Sequence, residues 1–490
     1  MVDFFPSASR FGDADKPREE CGVFGIIGCE TAASHTALGL HALQHRGQEA
    51  VGIVTTDGDR FFAERALGLV GDTFADSTVL ARLKGSAAIG HVRYATTGET
   101  ILRNVQPLFA ELAFGGFAIA HNGNLTNALK LRQQLIDNGS LFQATTDTEV
   151  IIHLMARAQN ASTVVERLIA ALKQVTGAYS LICLTKDSVI GVRDPAGVRP
   201  LVLGRLDGKP VLASETCGLD IIGATLERDI SPGELIVLHT DGRVESFFPF
   251  DAVASRFCVF EYIYFARPDS DLNEKSVYAV RRRIGMELAH EAGINADVVI
   301  PVPDSGVPAA IGYAQAANLP FELGIIRNHY VGRTFIEPTD QIRHLGVKLK
   351  HNPNRAELKD KRVILVDDSI VRGTTSVKIV DMVRQAGAKE VHLRIASPPT
   401  INPCFYGIDT PSKEKLLASN HTLEEMRKYI GVDSLAFLSV DGLYRAVGEA
   451  KRNKEMPQYC DACFTGDYPL PLVDMTPEQK GKKRKALLHC

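Results

Sequence analysis

The chain has 490 residues, 45% of them hydrophobic and 23% charged, a composition typical of a globular protein of about two to four domains. Its formal net charge of −3 gives no electrostatic reason to expect nucleic-acid binding, and no uninterrupted apolar run approaches the ~18 residues of a membrane span. The nine cysteines, an odd number spread along the chain, do not predict a disulfide framework.

The first half of the chain predicts antiparallel sheets with helices packed on them. Residues 1–20 contain five acidic side chains and lack the apolar segment of a signal peptide, so we expect a cytoplasmic protein. From there to about residue 250, short apolar segments alternate with glycine-rich turns. The predicted strands are Cys21–Gly28, Ala87–Val92, Phe114–Ala120, Ser180–Leu184 and Pro210–Ala213, and the predicted helices are Ser34–Leu43 and Asp147–Ala158.

After about residue 255 the pattern changes to alternating strands and helices, which indicates a parallel α/β domain. The predicted strands are Val298–Pro301, Val363–Val366 and Val391–Ile395. The predicted helices are Val280–Ala292, Pro308–Ala317 and Thr375–Ala386. The last ~40 residues are irregular and end in the basic run "KGKKRK", which we interpret as a solvated tail.

The stretch Val363–Ser376, "VILVDDSIVRGTTS", combines a buried strand, two adjacent carboxylates and a turn that opens a helix. In open α/β sheets, ligands bind beyond the carboxyl ends of the strands. Backbone N–H groups at a helix start bind phosphate, and the carboxylates of Asp367 and Asp368 can accept hydrogen bonds from sugar hydroxyls or help to hold Mg²⁺. The stretch therefore predicts a site for a phosphorylated sugar and a metal ion, in preference to an acidic turn that caps a helix.

This stretch resembles the phosphoribosylpyrophosphate (PRPP) signature of type I phosphoribosyltransferases. The resemblance implies that Asp367 and Asp368 meet the ribose hydroxyls and the magnesium ion. It also implies that four residues bind the 5-phosphate, namely Gly373, Thr374, Thr375 and Ser376.

Two upstream segments extend the resemblance to this family. "PVPDSG" is similar to its pyrophosphate-side loop, where Ser305 would neighbour the metal. "RNHYVGRTF" resembles the loop that closes over PRPP, although His329 stands where the family form has an arginine. Arg327 and Lys350 are the candidate PRPP contacts of this region.

The N-terminal half carries a second set of motifs around Cys21. "REECGVFG" is followed by "LQHRGQEA", "HVRYATTG", "HNGNL" and "TTDTEV". Together these segments resemble the glutamine amide-transfer domain of the N-terminal nucleophile (Ntn) hydrolases. With the second half added, the chain is similar to the amidophosphoribosyltransferase family along nearly its whole length.

The resemblance implies that Cys21 is a nucleophile that becomes the first residue of the mature chain. Its α-amino group would then act as the base, because an unperturbed amine has a pKa of about 7.7–8.0. Residues 1–20 would be a propeptide. The thiol would attack the glutamine amide, release ammonia and leave a thioester for water to hydrolyse.

The same resemblance assigns the other residues of this site. Arg93 suits the α-carboxylate of glutamine, Asp147 suits its α-ammonium group, and Thr96 is a lesser contact. The side chain of Asn122 and the N–H of Gly123 suit an oxyanion hole.

Simpler interpretations of these motifs exist. A lone cysteine in an apolar run is usually part of a core, and a lone His-Asn-Gly is usually a turn. A cysteine–histidine hydrolase with His45, His91 or His121 as its base is a further alternative. Each of these alternative interpretations is disfavoured because four motifs occur in order ahead of a PRPP loop.

Four cysteines form a further pattern. Cys460 and Cys463 make one Cys-x-x-Cys pair, which by itself could be a redox pair, half of a zinc site or chance. The metal-bearing branch of the family adds two isolated cysteines, and Cys258 and Cys404 match those positions. The resemblance implies a structural [4Fe–4S] cluster on these four thiolates, with four unligated buried cysteines as the alternative.

The family resemblance implies two folded domains. Residues 21–250 would form an α+β Ntn hydrolase domain, a four-layer sandwich, and residues 251–450 an α/β type I phosphoribosyltransferase domain. Residues 1–20 would be the propeptide, and residues 451–490 a tail that carries two of the cluster cysteines.

The implied reaction transfers ammonia from glutamine to PRPP with Mg²⁺, giving 5-phosphoribosylamine, glutamate and pyrophosphate. It is the first committed step of de novo purine synthesis, and the family implies a homotetramer inhibited by purine nucleotides. A hexosamine-forming synthase would share the first domain, and a PRPP-sensing regulatory protein would share the second. The PRPP loop disfavours the former, and the presence of Cys21, Arg93 and Asp147 disfavours the latter.

Overall fold

The structure, a computed structural model, describes residues 21–94, 100–328 and 351–475. Up to residue 250, the described residues form thirteen strands: β1 Gly22–Ile27, β2 Ala50–Thr56, β3 Phe61–Leu67, β4 Ala87–Arg93, β5 Leu108–Leu112, β6 Gly115–Leu125, β7 Gly177–Leu184, β8 Ser188–Arg193, β9 Val202–Leu206, β10 Lys209–Ala213, β11 Thr225–Asp229, β12 Leu235–His239 and β13 Val244–Phe247. The helices of this half are α1 Ala32–Ala42, α2 Val70–Phe74, α3 Ser77–Arg82, α4 Ala128–Asp137, α5 Thr148–Arg157, α6 Val164–Leu172 and α7 Cys217–Asp220, with 3₁₀ turns at Gln44–Arg46 and Leu102–Asn104.

These strands form two antiparallel sheets. The first sheet has the order β11-β9-β10-β1-β4-β2-β3, and the second has the order β13-β12-β8-β7-β6-β5. Val23 and Ile27 of β1 share a buried core with Ile182 of the second sheet, whereas Phe24, on the other face of β1, packs with Leu40 of α1. Helices α4, α5 and α6 cover the outer face of the second sheet. The result is the predicted four-layer α+β sandwich, helix–sheet–sheet–helix.

The C-terminal half contains ten further strands: β14 Phe257–Cys258, β15 Asp271–Leu272, β16 Lys275–Ser276, β17 Val298–Pro301, β18 Ile325–Arg327, β19 His351–Pro353, β20 Arg362–Asp367, β21 Glu390–Ile395, β22 Ser434–Phe437 and β23 Tyr459–Cys460. Its helices among the described residues are α8 Val277–Ala292, α9 Val307–Ala317, α10 Arg355–Leu358, α11 Thr374–Gln385, α12 Leu417–Asn420, α13 Leu423–Ile430, α14 Val440–Ala446 and α15 Ala462–Thr465. A π-helical segment, Glu261–Phe265, and a 3₁₀ turn, Lys413–Lys415, complete the set.

A parallel sheet of order β17-β20-β21-β22 is the centre of this half. Its strand β20 is buried on both faces. Val363 and Leu365 pack into one apolar cluster, and Ile364 and Val366 pack into another. Burial on both faces explains why this strand is a continuous apolar run, and the parallel sheet confirms the predicted parallel α/β domain.

The two halves share one core. The cluster beneath the first sheet continues from Phe24 and Leu40 into residues 257–266 and helices α8 and α9. The short parallel pair of β14 and β23 ties the start of the C-terminal half to the chain near residue 460. Among the described residues, no helix has both the length and the apolar character that crossing a membrane requires.

Candidate functional site

Cys21 directly precedes β1, a central strand of the first sheet. Gly22 pairs with Val92 of β4, and the next residue along β4 is Arg93. Cys21 is only 8% exposed, and its Sγ lies 3.6 Å from the carbonyl oxygen of Tyr94. The sheet register therefore brings the predicted nucleophile to the end of β4.

The surroundings of Cys21 disfavour the ionised, thiolate form of its side chain. Burial raises its pKa to about 11, although the charge of Arg93 acts in the opposite direction. The carboxylates of Asp147 and Glu49 raise the pKa further. At neutral pH the sulfur carries its proton, so its attack on an amide requires a nearby base.

The three histidines proposed as alternative bases have other partners. Nε2 of His45 bonds to a glutamate at 2.7 Å, and Nε2 of His91 bonds to the backbone carbonyl of His121 at 3.1 Å. Nδ1 of His121 lies 3.1 Å from a threonine hydroxyl, and burial lowers the pKa of His91 to about 3. Within the described ranges, no hydrogen bond joins a histidine to Cys21, which disfavours the cysteine–histidine hydrolase.

Arg93 and Asp147 are brought together around the thiol, as the motifs predict. Arg93 is 2% exposed, and burial lowers its pKa while the charges of Cys21 and Asp147 oppose that effect. Asp147 directly precedes α5, and its Oδ2 accepts a hydrogen bond from the N–H of Leu125, 2.8 Å away. An anchored carboxylate and a guanidinium beside one thiol can bind the two charged ends of an amino acid.

Glu49 is a further acidic residue of this site, and the sequence analysis assigned it no role. Its N–H donates to the carbonyl of Arg93 at 3.0 Å, and its Oε2 accepts from the hydroxyl of Thr100 at 2.6 Å. Its charge acts on both Cys21 and Arg93. Glu49 belongs to the segment "LQHRGQEA". The sequence does not indicate which residue of that segment lies beside Arg93, because this depends on the pairing of β2 with β4.

Asn122 and Gly123 lie in β6 of the second sheet. Asn122 is fully buried, and neither its Nδ2 nor its Oδ1 has a hydrogen-bond partner among the described residues. Gly123 has a φ of +143°, and a Cβ there would come within 2.1 Å of the carbonyl oxygen of Ala178. A buried amide without a partner is costly, so its retention is typical of a group reserved for a ligand.

Two predicted contacts fall on residues for which the structure gives no description, Thr96 in residues 95–99 and Lys350 in residues 329–350. His329, the departure from the family motif, also lies in the second of these ranges. Their assignments stay predictions.

The predicted PRPP carboxylates lie at the carboxyl end of β20, the second strand of the parallel sheet. Asp367 ends the strand, and its Oδ1 accepts the N–H of Asp368 at 2.9 Å. The hydroxyl of Ser305 donates to Asp368 Oδ1 at 2.5 Å, and that of Ser369 donates to Oδ2 at 2.7 Å. The structure thus brings the "PVPDSG" loop and the Asp-Asp pair together, as expected for one ligand site.

The Gly-Thr-Thr-Ser turn opens α11 as predicted. Gly373 precedes the helix with a φ of +81°, and a Cβ there would come within 2.7 Å of a leucine methyl, so glycine is required. Thr374, Thr375 and Ser376 form the first turn, and the N–H groups of a helix's first turn point out of the helix end. This helix end can bind an anion next to the Asp-Asp pair.

Arg327 lies on the same side of the sheet as the pyrophosphate-side loop. It ends β18, and its guanidinium forms an ion pair with Asp304 of that loop. Both side chains are about half exposed, so this pair contributes little to stability and leaves the arginine accessible to a ligand phosphate.

The four cysteines of the predicted cluster come from three separate parts of the chain and share one buried region. Cys258 and Cys460 are directly opposite in the β14–β23 pair. Burial raises the pKa of Cys258 to about 11, with a contribution from Cys404, and raises that of Cys463 well above its ordinary value, with contributions from the other three thiols. No group of metal-ligating side chains in ligand geometry is found among the described residues.

A chain of buried charged residues, which the sequence patterns do not predict, links the N-terminal half to Glu261 of the C-terminal half. Arg46, 1% exposed, bonds to Glu215 and to Glu261, with 2.6 Å between its Nη2 and Glu261 Oε2. Glu261 also lies 3.6 Å from Arg199, on whose pKa the nearby cysteines act. Charged residues are normally expected at the surface, so the pattern of apolar and polar residues along the chain does not predict that these are buried.

Comparisons with known proteins identify both halves. A family model described as a glutamine amidotransferase domain matches residues 91–220, and one described as a phosphoribosyl transferase domain matches residues 271–396. An amidophosphoribosyltransferase of Rhizobium etli is 59% identical over 480 residues, which cover 97% of either chain.

Two solved structures match nearly the whole fold. The glutamine PRPP amidotransferase of Bacillus subtilis, complexed with ADP and GMP, superposes with a TM-score of 0.87 at 47% identity, covering 92% of this chain and 98% of that one. A structure described as the allosteric regulatory enzyme of purine biosynthesis gives a TM-score of 0.89 at 46% identity, covering 96% and 100%. The chain therefore belongs to the amidophosphoribosyltransferase family and transfers ammonia from glutamine to PRPP, giving 5-phosphoribosylamine, glutamate and pyrophosphate in the first step of purine biosynthesis.

Proposed function

We propose that glutamine is hydrolysed by Cys21 after cleavage of residues 1–20, with the freed α-amino group as the base. The observation that carries this proposal is the environment of the thiol. Burial raises its pKa to about 11, and no histidine is bonded to it among the described residues, so a proton acceptor must come from elsewhere. A terminal amine, with an ordinary pKa of about 7.7–8.0, supplies one on the same residue.

The chemistry then follows in two steps. The amine takes the thiol proton as the sulfur attacks the glutamine amide carbon, and ammonia leaves when the tetrahedral intermediate collapses to a thioester. Water hydrolyses the thioester to glutamate and restores the thiol. The oxygen that becomes negative in each tetrahedral intermediate is stabilised by Asn122 Nδ2 and the N–H of Gly123.

N-terminal sequencing of the active enzyme tests the proposal. We expect mature, active molecules to begin Cys-Gly-Val-Phe. A variant in which processing is blocked should hydrolyse no glutamine, yet should still form phosphoribosylamine from PRPP and added ammonia. Full glutamine-dependent activity in molecules that retain residues 1–20 would contradict the mechanism.

Glutamine recognition is assigned to three residues. Arg93 pairs with the α-carboxylate, Asp147 with the α-ammonium group, and Thr96 makes a lesser contact. The support is that Arg93 and Asp147 both act electrostatically on Cys21, and that Asp147 is held by a backbone N–H. Arg93→Lys keeps the charge but loses the bidentate fork, so we expect a raised KM for glutamine with ammonia-dependent synthesis unchanged.

The PRPP site is assigned to the ends of β17 and β20. Asp367 and Asp368 accept the ribose hydroxyls and take part in the Mg²⁺ environment, with Ser305 beside the metal. The helix start at Gly373–Ser376 holds the 5-phosphate, and Arg327 and Lys350 contact the pyrophosphate. The bond between Ser305 and Asp368 supports this assignment. Bound Mg²⁺ would neutralise charge on the departing pyrophosphate.

A [4Fe–4S] cluster on Cys258, Cys404, Cys460 and Cys463 is part of the proposal. The support is that, besides burial, Cys258, Cys404 and Cys460 all raise the pKa of Cys463, and that the same three cysteines act on the pKa of Arg199. A cluster there would hold the tail against the C-terminal half, a structural role.

Iron and sulfide analysis tests the cluster. We expect about four of each per chain in anaerobically purified enzyme, and their loss in Cys460→Ser. Cys29→Ser removes a thiol outside the group and should leave the iron content unchanged. Iron-free enzyme of full stability, or an iron content that Cys460→Ser does not alter, would contradict the assignment.

The remaining expectations rest on the family. The Bacillus subtilis relative was solved with ADP and GMP, and we propose that purine nucleotides inhibit this enzyme too. We also propose a homotetramer and a cytoplasmic location. We keep the domain limits 21–250, 251–450 and 451–490 as proposals; the change from antiparallel to parallel sheets supports the first limit, near residue 250. Inhibition titrations and light scattering test the first two points.

A further inference from the structure

The oxyanion strand β6 is packed against a segment from the far end of the chain. Gly407 has a φ of +117°, and a Cβ built on it would come within 3.0 Å of the Cα of Gly123 and 3.2 Å of its carbonyl carbon. Gly123 is also packed against β7, because a Cβ built on Gly123 would come within 2.1 Å of the carbonyl oxygen of Ala178. Both β7 and Gly407 therefore pack closely against Gly123. Neither Gly123 nor Gly407 has room for a side chain.

Three further contacts fix the same end of β6. Asn124 donates from Nδ2 to the carbonyl of Phe405 at 2.8 Å, two residues before Gly407. Thr126 donates from its hydroxyl to the carbonyl of Pro471 at 2.7 Å. Asp474 donates its N–H to the Thr126 carbonyl, and its carboxylate accepts the N–H groups of Leu129 and Lys130 in the first turn of α4. Contacts from residues 405–407 and 471–474 thus surround the end of the strand.

We propose that Gly407 is a positioning residue for glutamine hydrolysis: its packing against Gly123 holds the oxyanion-hole peptide in its productive place. The inference rests on the proposed role of Asn122 and Gly123. It gives the C-terminal half of the chain an indirect part in the chemistry of the N-terminal half, through packing. Gly407 touches neither the thiol nor the ammonia acceptor, so it acts only through the position of Gly123.

The size of the effect follows from the packing. Alanine at 407 would place a methyl group 3.0 Å from Gly123 Cα, which must then move by a few tenths of an ångström. Misplacement of a catalytic group by 1 Å costs about 10²-fold in rate, so a smaller shift should lower kcat for glutamine hydrolysis by about 10-fold. KM for glutamine should stay nearly constant, because the residues assigned to its charged ends are elsewhere.

Gly407→Ala is tested against Gly448→Ala. Gly448 has a comparable φ of +98°, but a Cβ there meets nothing within 4 Å, so it carries the backbone strain without the contact. Asn124→Ala is the second variant, because it removes the bond to Phe405 without adding strain or volume. Each is assayed for glutamine hydrolysis, for phosphoribosylamine formation from added ammonia, and for thermal stability.

Ligand binding distinguishes positioning from general disruption. Glutamate γ-semialdehyde forms a tetrahedral adduct with the Cys21 thiol and so uses the oxyanion hole, whereas glutamate binds without forming one. We expect Gly407→Ala to weaken the aldehyde about 10-fold and to leave glutamate affinity and ammonia-dependent synthesis unchanged. Asn124→Ala should shift the same ratio in the same direction, and Gly448→Ala should not.

The outcomes separate this inference from the proposed function. If Asn122→Leu abolishes glutamine hydrolysis but Gly407→Ala and Asn124→Ala retain full kcat and aldehyde affinity, the positioning role is wrong and the oxyanion hole stands. If Asn122→Leu retains full activity, the oxyanion assignment itself fails. Equal losses of glutamate and aldehyde affinity in Gly407→Ala would also overturn the inference, because they indicate general disruption of the site.

Discussion

Replacing Asn122 by leucine should make the protein more stable and less active at the same time. Both polar atoms of this amide are buried without a partner among the described residues, and each such group costs about 1–3 kcal/mol. Leucine has the same number of side-chain heavy atoms in the same branched arrangement, and isosteric packing changes usually cost less than about 1.5 kcal/mol. We therefore expect the free energy of unfolding to rise by about 1–3 kcal/mol. Loss of one oxyanion donor should lower kcat for glutamine hydrolysis by about 10²–10³-fold, or 2.7–4 kcal/mol.

The assay pairs thermal denaturation with two activities, glutamine hydrolysis and ammonia-dependent phosphoribosylamine formation. The second should be unchanged, because the PRPP site is separate. Thr55→Val is the matched control: its hydroxyl is also buried without a partner among the described residues, but lies in β2 of the first sheet. It should raise stability with no effect on either activity. A lower denaturation midpoint in Asn122→Leu with hydrolysis intact would refute the reasoning.

Three further predictions concern charge. Asp368→Asn should lower kcat/KM for PRPP, measured with ammonia as the nitrogen donor, by at least ~10²-fold, while PRPP-independent glutamine hydrolysis is unchanged; an unaltered kcat/KM would contradict the assignment. Burial raises the pKa of Glu215, but Arg46 and His45 lower it more, so its net pKa lies below the ordinary value. Its stabilising contribution is therefore complete above the ordinary pKa of about 4.5 and is lost as the pH falls. Glu215→Gln should lower the denaturation midpoint at neutral pH, with a loss of about 3–5 kcal/mol, and flatten its decline in acid; a parallel decline would contradict this. In the unprocessed chain, alkylation of Cys21 followed by mass spectrometry should accelerate about 10-fold per pH unit up to pH ~10, and a plateau near neutral pH would show that burial does not raise the thiol pKa.

Much of the fold could be predicted because its strands carry strong apolar signals. The strand Val298–Pro301 has the predicted limits, and the predicted Val363–Val366 is one residue short at each end. Both lie in the parallel sheet, where burial on two faces produces an uninterrupted apolar run. Exposed edge strands such as β3 and β13 lack such runs and were not predicted.

The candidate site was predictable as a set of motifs, but not in its local structure. His-Asn-Gly in isolation favours a turn, yet Asn122 and Gly123 continue β6 to Leu125, because the pairing of β6 with β7 runs on through both residues. The role of Glu49 depends on strand register, and the ion pairs of Arg46 join residues about 170 and 215 apart. Such contacts depend on tertiary packing, so local sequence patterns do not predict them.

The attachment of residues 471–474 to the end of β6 bears on protein synthesis. A ribosome must translate almost the entire message before these residues can reach their partners, so a nascent chain holding only the N-terminal sandwich lacks the supports around Gly123. Ammonia released by such a fragment would have no acceptor site and would waste cellular nitrogen. If these contacts hold Gly123 in place as proposed, late completion of the strand end delays the use of glutamine by the growing polypeptide.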